Sequence, residues 1–259
     1  MFTRLIRIVI FGFALSLAGS SIRAQDHGAP RFKAVAFDYF VIFNPDSIVP
    51  EVEKVFPGKG AEFAKAWRAK LFDYSFLCSI TGEHEDFYKL TDDALVYTAA
   101  SMKLNLSPEN HDTLLKAWLA LKPWPDAAAA LRRLRAAGIR IITIANFSEK
   151  MLRANADNAG ITDLFDKLLS TEVNGTYKPD ARAYALGMQT LNLKKGEILF
   201  AAFGGWDAYG AKHFGYTTSW INRFSLPPEQ IGAKPDQTST NLEGLLQFVL
   251  PVDGSSGRK

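Results

Sequence analysis

The chain has 259 residues, is 47% hydrophobic and carries a net charge of +3. That length suits one or two domains with a sizeable core, and the charge leaves no electrostatic footprint for a nucleic-acid partner. Cys78 is the single cysteine, which excludes an intramolecular disulfide; His27, His84, His111 and His213 are scattered and show no zinc-ligand spacing.

Residues 1–24 read as a secretory signal. Arg4 and Arg7 precede an apolar stretch, residues 8–18, and small residues follow. A membrane span needs about 20 apolar residues, and this run is shorter. Cleavage after Ala24 would remove Arg4, Arg7 and Arg23 and no acid, leaving a neutral chain. The expected location is periplasmic or secreted, with no membrane association after cleavage.

Residues 32–38 form a short apolar run that ends in one carboxylate, Asp38. Continuous apolar runs mark buried parallel strands, and α/β sheets place their ligands at the C-terminal ends of such strands. From about 45 to 120 the pattern becomes helical. Val52, Val55 and Phe56, then Phe63, Trp67, Leu71 and Tyr74, recur at three- and four-residue steps. Pro57-Gly58 breaks the first helix, and residues 87–102 and 108–121 continue the helical insert.

Beyond Pro123-Trp124-Pro125, strands and helices alternate. Asp126 is the expected N-cap of a helix over 127–137, which Gly138 ends. Strands are predicted at 140–145, 168–170, 197–202 and 217–221, with helices at 148–159, 180–191, 208–214 and, late in the chain, 240–249. Such alternation argues for a parallel sheet with crossover helices. The predicted fold is α/β: a Rossmann-like parallel sheet core (residues 31–45 and 121–250) with a helical cap (46–120) inserted after strand one.

The order of polar groups is Asp38, then Ala145-Asn146, then Tyr177-Lys178-Pro179-Asp180, then Gly204-Gly205-Trp206-Asp207. This order resembles the haloacid dehalogenase superfamily, and within it the type II 2-haloacid dehalogenases. Trp206-Asp207-Ala208, residues 210–215, Phe56-Pro57-Gly58 and Trp67-Arg68 look specific to those enzymes.

The resemblance implies a hydrolase that cleaves the carbon–halogen bond of a short 2-haloacid. Asp38 would attack C2 and form an ester that water then hydrolyses, splitting one hard step into two. Lys178 would sit against Asp38 and favour its charged form. Asp207 would orient Lys178 or the hydrolytic water; the plainer reading is the N-cap of the next helix, and the two are compatible. Arg68, Asn146 and Trp206 match a halide cradle, the indole offering its positive edge. Phe72 and Phe87 match apolar pocket positions, and Tyr39 follows the nucleophile. No organic cofactor and no metal are implied, and a homodimer is expected.

Several polar groups of that family are missing. Its Asp-x-Tyr-Gly-Thr-Leu becomes Asp38-Tyr39-Phe40-Val41-Ile42-Phe43, and its Ser-Asn-Gly becomes Ala145-Asn146-Phe147. Ala202 and Gly204 replace the serine and asparagine that would hold water. Ser148 and Tyr39 are the hydroxyls left as replacements. Two other readings follow. A phosphatase of the same superfamily would need an acid at Phe40 and magnesium, which favours oxygen ligands. An exported binding or degenerate protein would show no turnover.

Overall fold

The structure is a computed structural model that describes residues 31–250. The expected leader, residues 1–24, lies outside the described residues.

β1 (Ala34–Phe37) is buried along its whole length. It lies inside a five-stranded parallel sheet, between β4 (Arg140–Thr143) and β5 (Ile198–Ala202); β6 (Thr217–Ile221) and β7 (Gln237–Ser239) follow β5 toward the far edge. Ala34 stands opposite Arg140 on one side and Ile198 on the other. Side chains alternate across a strand, so each face of the sheet needs its own cover. Val35 and Phe37 enter one core with Ile141, Leu199, Leu131, Leu152 and Leu245. Ala34 and Ala36 enter the other with Phe200, Tyr184 and Ala208. The first core is therefore covered by α6 (Ala127–Ala136), α7 (Glu149–Asn158) and α10 (Leu242–Val249), and the second by α8 (Ala181–Leu191) and α9 (Gly205–Phe214).

Asp38 ends β1 because its carboxylate accepts a hydrogen bond from Phe40 N, capping the one-turn helix α1 (Tyr39–Ile42). The chain leaves the sheet through β2 (Phe43–Asn44) and returns through β3 (Lys122–Pro123), which pair antiparallel. Between them lie a 3-10 turn (Pro45–Ile48), α2 (Val49–Val55), α3 (Gly60–Thr81), α4 (Phe87–Ser101) and α5 (Pro108–Ala117). Trp67, buried on α3, donates its indole N–H to Thr91 O at 2.8 Å and so ties α3 to α4. Asn155 of α7 accepts from Leu121 N at 2.6 Å and donates to Trp118 O at 2.9 Å, seating the returning segment on the sheet layer.

Three expectations change. Asp126 precedes α6 without a side-chain cap; its carboxylate instead takes Arg223 at 2.9 Å and Leu242 N at 2.9 Å, joining α6 to α10 and to the end of β6. Residues 168–170 do not form a ladder. Single parallel bridges occur there, at Ile142–Lys167 and Ala145–Ser170; Ala145 N still donates to Leu169 O, but Leu169 N donates to the Thr143 hydroxyl instead of a main-chain carbonyl, which interrupts the ladder. β7 was not predicted; Gln-Thr-Ser offers no apolar signal.

Candidate active site

Asp38, Asn146 and Asp207 follow the C-terminal ends of β1, β4 and β5, so parallel pairing brings all three to one edge of the sheet. Lys178 enters from the loop before α8, where the Lys178–Pro179 peptide is cis. Its side chain is 1% exposed, and its ammonium lies 2.9 Å from Asp38 Oδ1 and 2.7 Å from Asp207 Oδ2. Burial alone would push this ammonium toward the neutral form, but the Asp207 and Asp38 carboxylates outweigh it and hold its pKa above the ordinary lysine value.

Asp207 is fully buried in the first turn of α9, three residues after the N-cap position held by Gly204. It is therefore not the helix N-cap. Burial pushes its carboxyl up to about 6, against the pull of Lys178. Its other oxygen, Oδ1, accepts a hydrogen bond at 2.7 Å from the hydroxyl of Tyr184. Burial, and then the Asp207 charge, raise the Tyr184 phenol well above its ordinary value, so it stays a donor.

The sequence reading did not single out Tyr184. The signal that could have found it is Gly210. A Cβ there would lie 2.4 Å from the Tyr184 hydroxyl and 3.0 Å from Pro179, so only glycine lets α9 approach this closely. Tyr184→Phe is expected to remove one hydrogen bond to a charged group, about 1.5–3 kcal/mol. Turnover near pH 7 should fall roughly tenfold or more, and the acid limb of the pH–rate profile should move up, because Asp207 loses a donor to its charged form. Unchanged profiles would show that Tyr184 only packs.

Asn146 holds Lys178. Its Oδ1 accepts from Lys178 N at 2.8 Å and from the Thr171 hydroxyl at 3.2 Å, and its Nδ2 donates to Lys178 O at 3.3 Å. The amide thus grips both backbone groups of the lysine and uses one of its two N–H donors to do so, leaving the second for the expected halide contact. Tyr39 is a correction. Its hydroxyl points away from Asp38 and donates to Leu152 O at 2.6 Å, so it is not free for a substrate. Ser148 caps α7 by accepting from Met151 N, and among the described residues its hydroxyl donates to no group.

The remaining neighbours are aromatic. Phe40 packs edge-on against Phe72 and Phe147, and against Phe203 and Trp118. Trp206 lies 5.9 Å from the Lys178 ammonium and edge-on to Phe72. A Cβ at Gly204 would lie 2.7 Å from the Trp206 indole nitrogen, so the indole fills the space where a longer side chain would start. Phe87 sits one ring farther back, against Phe147 and Tyr177. Arg68 pairs with Asp46 at 2.5 Å. Phe40, Phe147 and Phe203 are thus joined in one packed cluster of rings, while Ile42, Ala145, Ala202 and Gly204 contribute neither a ring nor a polar side chain. Among the described residues, no group of three or more His, Cys, Asp or Glu side chains could hold a metal ion.

Comparison with known proteins places this geometry. A model of haloacid dehalogenase-like hydrolases matches residues 32–215. The chain is 37% identical over 225 residues to the (S)-2-haloacid dehalogenase of Pseudomonas sp. (strain YL), covering 86% of this chain and 97% of that one. It is 34% identical over 220 residues to haloacetate dehalogenase H-2 of Moraxella sp. (strain B), covering 85% and 98%. The L-2-haloacid dehalogenase of Xanthobacter autotrophicus, solved with chloropropionic acid covalently bound, superposes with a TM-score of 0.78 at 30% identity, covering 84% of this chain and 98% of that one. With most of its length matched on sequence and on fold, the chain belongs to the haloacid dehalogenase-like hydrolases.

Proposed function

We propose that this protein is a hydrolytic dehalogenase of short 2-haloacids, releasing halide and a 2-hydroxyacid. The observation that carries the reading is the Asp38–Lys178–Asp207 group at the C-terminal end of β1, in a chain related to enzymes named for this reaction. Asp38 is the nucleophile. One of its oxygens displaces halide from C2, giving an aspartyl ester. Water then adds to the acyl carbon, and the 2-hydroxyacid leaves with the oxygen that Asp38 supplied. Lys178 balances the charge of Asp38 before attack and of the tetrahedral oxyanion after it. Asp207 and Tyr184 position that lysine.

Arg68, the Trp206 edge and the second Asn146 N–H are the groups on this face able to meet an anion. Phe72 supplies an apolar wall beside them, and Phe87 supports that wall from behind. Residues 46–120 act as the cap over a core formed by 31–45 and 121–250. Export to the periplasm or medium rests on the basic and apolar pattern of residues 1–18. Assembly as a homodimer is supported by the exposed Leu77, Ile80, Val96 and Tyr97 on α3 and α4; light scattering of the purified protein checks it.

Incubation with L-2-chloropropionate should release chloride, with a pH profile set by the buried triad. Asp207 ionises as pH rises through about 6, so activity should climb there. Lys178 stays charged beyond the ordinary lysine value, so activity should hold to pH 10. No chloride across pH 7–10 would overturn the reading.

A further inference from the structure

Arg68 reaches the site on the same face of α3 as Phe72, one helical turn away. Phe72 packs on Phe40 and Trp206, so this face is turned toward Asp38. The Arg68 guanidinium lies 5.9 Å from the centre of the Phe224 ring, and Phe224 leads through Phe203 to Phe40. Arg68 therefore stands at the rim of the aromatic wall around the nucleophile. Its partner there is Asp46, in the turn that follows β2. The Arg68 side chain is 16% exposed and that of Asp46 is 41% exposed, so a sheltered cation is met by a carboxylate that reaches in from water. Among the described residues, the Asp46 carboxylate bonds no other group.

We infer that Asp46 is an internal competitor for the anion site: it occupies Arg68 until a substrate carboxylate or the departing halide displaces it, and so sets how tightly anions bind. The inference rests on the dehalogenase reading for the identity of the anion. Its physical basis is independent. Asp38, Asp207 and Asp46 set three negative charges against the two positive charges of Lys178 and Arg68. An entering carboxylate adds a fourth. Exchanging one carboxylate for another on the same guanidinium gains only the difference between the two, whereas an unoccupied guanidinium would yield the full interaction. Asp46 thus weakens the binding of every anion and leaves neutral molecules unaffected. A purely structural latch between α3 and the hinge would behave oppositely, since its removal would loosen the site for all ligands.

The test compares propionate with propionamide, which have nearly the same shape and differ in charge, by calorimetry on the full chain. In Asp46→Asn the dissociation constant for propionate should fall about three- to tenfold, the range a partly exposed ion pair supports. That for propionamide should stay put. Asp46→Ser should repeat the result, and adding Arg68→Gln to either variant should erase it. Unchanged or weaker propionate binding, or equal shifts for both ligands, would overturn the inference. So would loss of the folded state in both variants, which would make Asp46 a latch. Chloride release from 2-chloropropionate, measured on the same wild-type sample, reports separately on the dehalogenase reading.

Discussion

Asp38→Asn should lower chloride release by more than about 10⁴-fold, the scale on which removal of a nucleophile acts, while the protein stays folded. Asp38 accepts from Phe40 N on Oδ2 and from Lys178 on Oδ1, so the single oxygen of the amide keeps one of these two hydrogen bonds while the strand and its pairing are untouched. The substitution removes one of two negative charges that face one buried ammonium, leaving Lys178 and Asp207 as a balanced pair. The loss of rate is therefore chemical: a neutral amide oxygen is a poor nucleophile. Thermal melting and chloride release on the same sample separate the two effects. Labelled water gives a second reading. When the wild type turns over in H₂¹⁸O, addition of water to the acyl carbon leaves ¹⁸O in the Asp38 carboxylate, which mass spectrometry of the peptide detects. Undiminished turnover in the variant, or unlabelled Asp38 after many wild-type turnovers, would rule out the ester.

The nucleophile was legible because its strand is an uninterrupted apolar run, and such a run has to end where the polar loops begin. β4 and β5 were visible from their apolar runs as well, whereas β6, Thr-Thr-Ser-Trp-Ile, was visible from β-branched and aromatic residues and from its place after a helix. Side chains set by tertiary approach were not. Tyr184 reads as one more aromatic on an amphipathic helix; what makes it part of the site is Gly210 on another helix. Tyr39 misled for a local reason. It adjoins Asp38, but the helical turn that starts there rotates it away toward α7. Asn146 has the right place and a further task, because the same side chain also meets the N–H and carbonyl of Lys178. Read singly, Phe40, Phe147 and Phe203 look like unrelated departures from the family pattern. In the structure Phe147 and Phe203 both pack on Phe40, so the three changes form one cluster. Asp46 gave no signal, since an acid in a turn is ordinary.

Lys178→Met should reduce both turnover and stability, and the pH dependence of the second identifies the cause. The lysine is buried between two carboxylates that have no other cation within ion-pair distance among the described residues. Removing one partner of a buried charge group typically costs about 3–5 kcal/mol. The variant can escape part of that by keeping a proton on Asp207, whose carboxyl is already raised by burial and would rise further without the ammonium. Its folded state then binds a proton that the unfolded chain has released, so stability falls as pH rises until the raised folded value is passed. In the wild type, Asp207 is at the midpoint of that titration near pH 6 and nears its end about a unit higher, and Lys178, raised above its ordinary value, contributes its stability at all lower pH. Urea unfolding at about pH 7 and pH 9, both above the wild-type Asp207 value, should therefore agree for the wild type with respect to this triad and diverge for the variant, which loses stability at the higher pH. Turnover should drop on the order of 10³-fold, the effect of removing a preorganised charge from a reacting group. Lys178→Arg should not restore it, because a planar guanidinium exceeds the enclosed space of an ammonium. A variant that kept turnover within tenfold, with equal stability at both pH values, would show that the ammonium serves neither the fold nor the reaction.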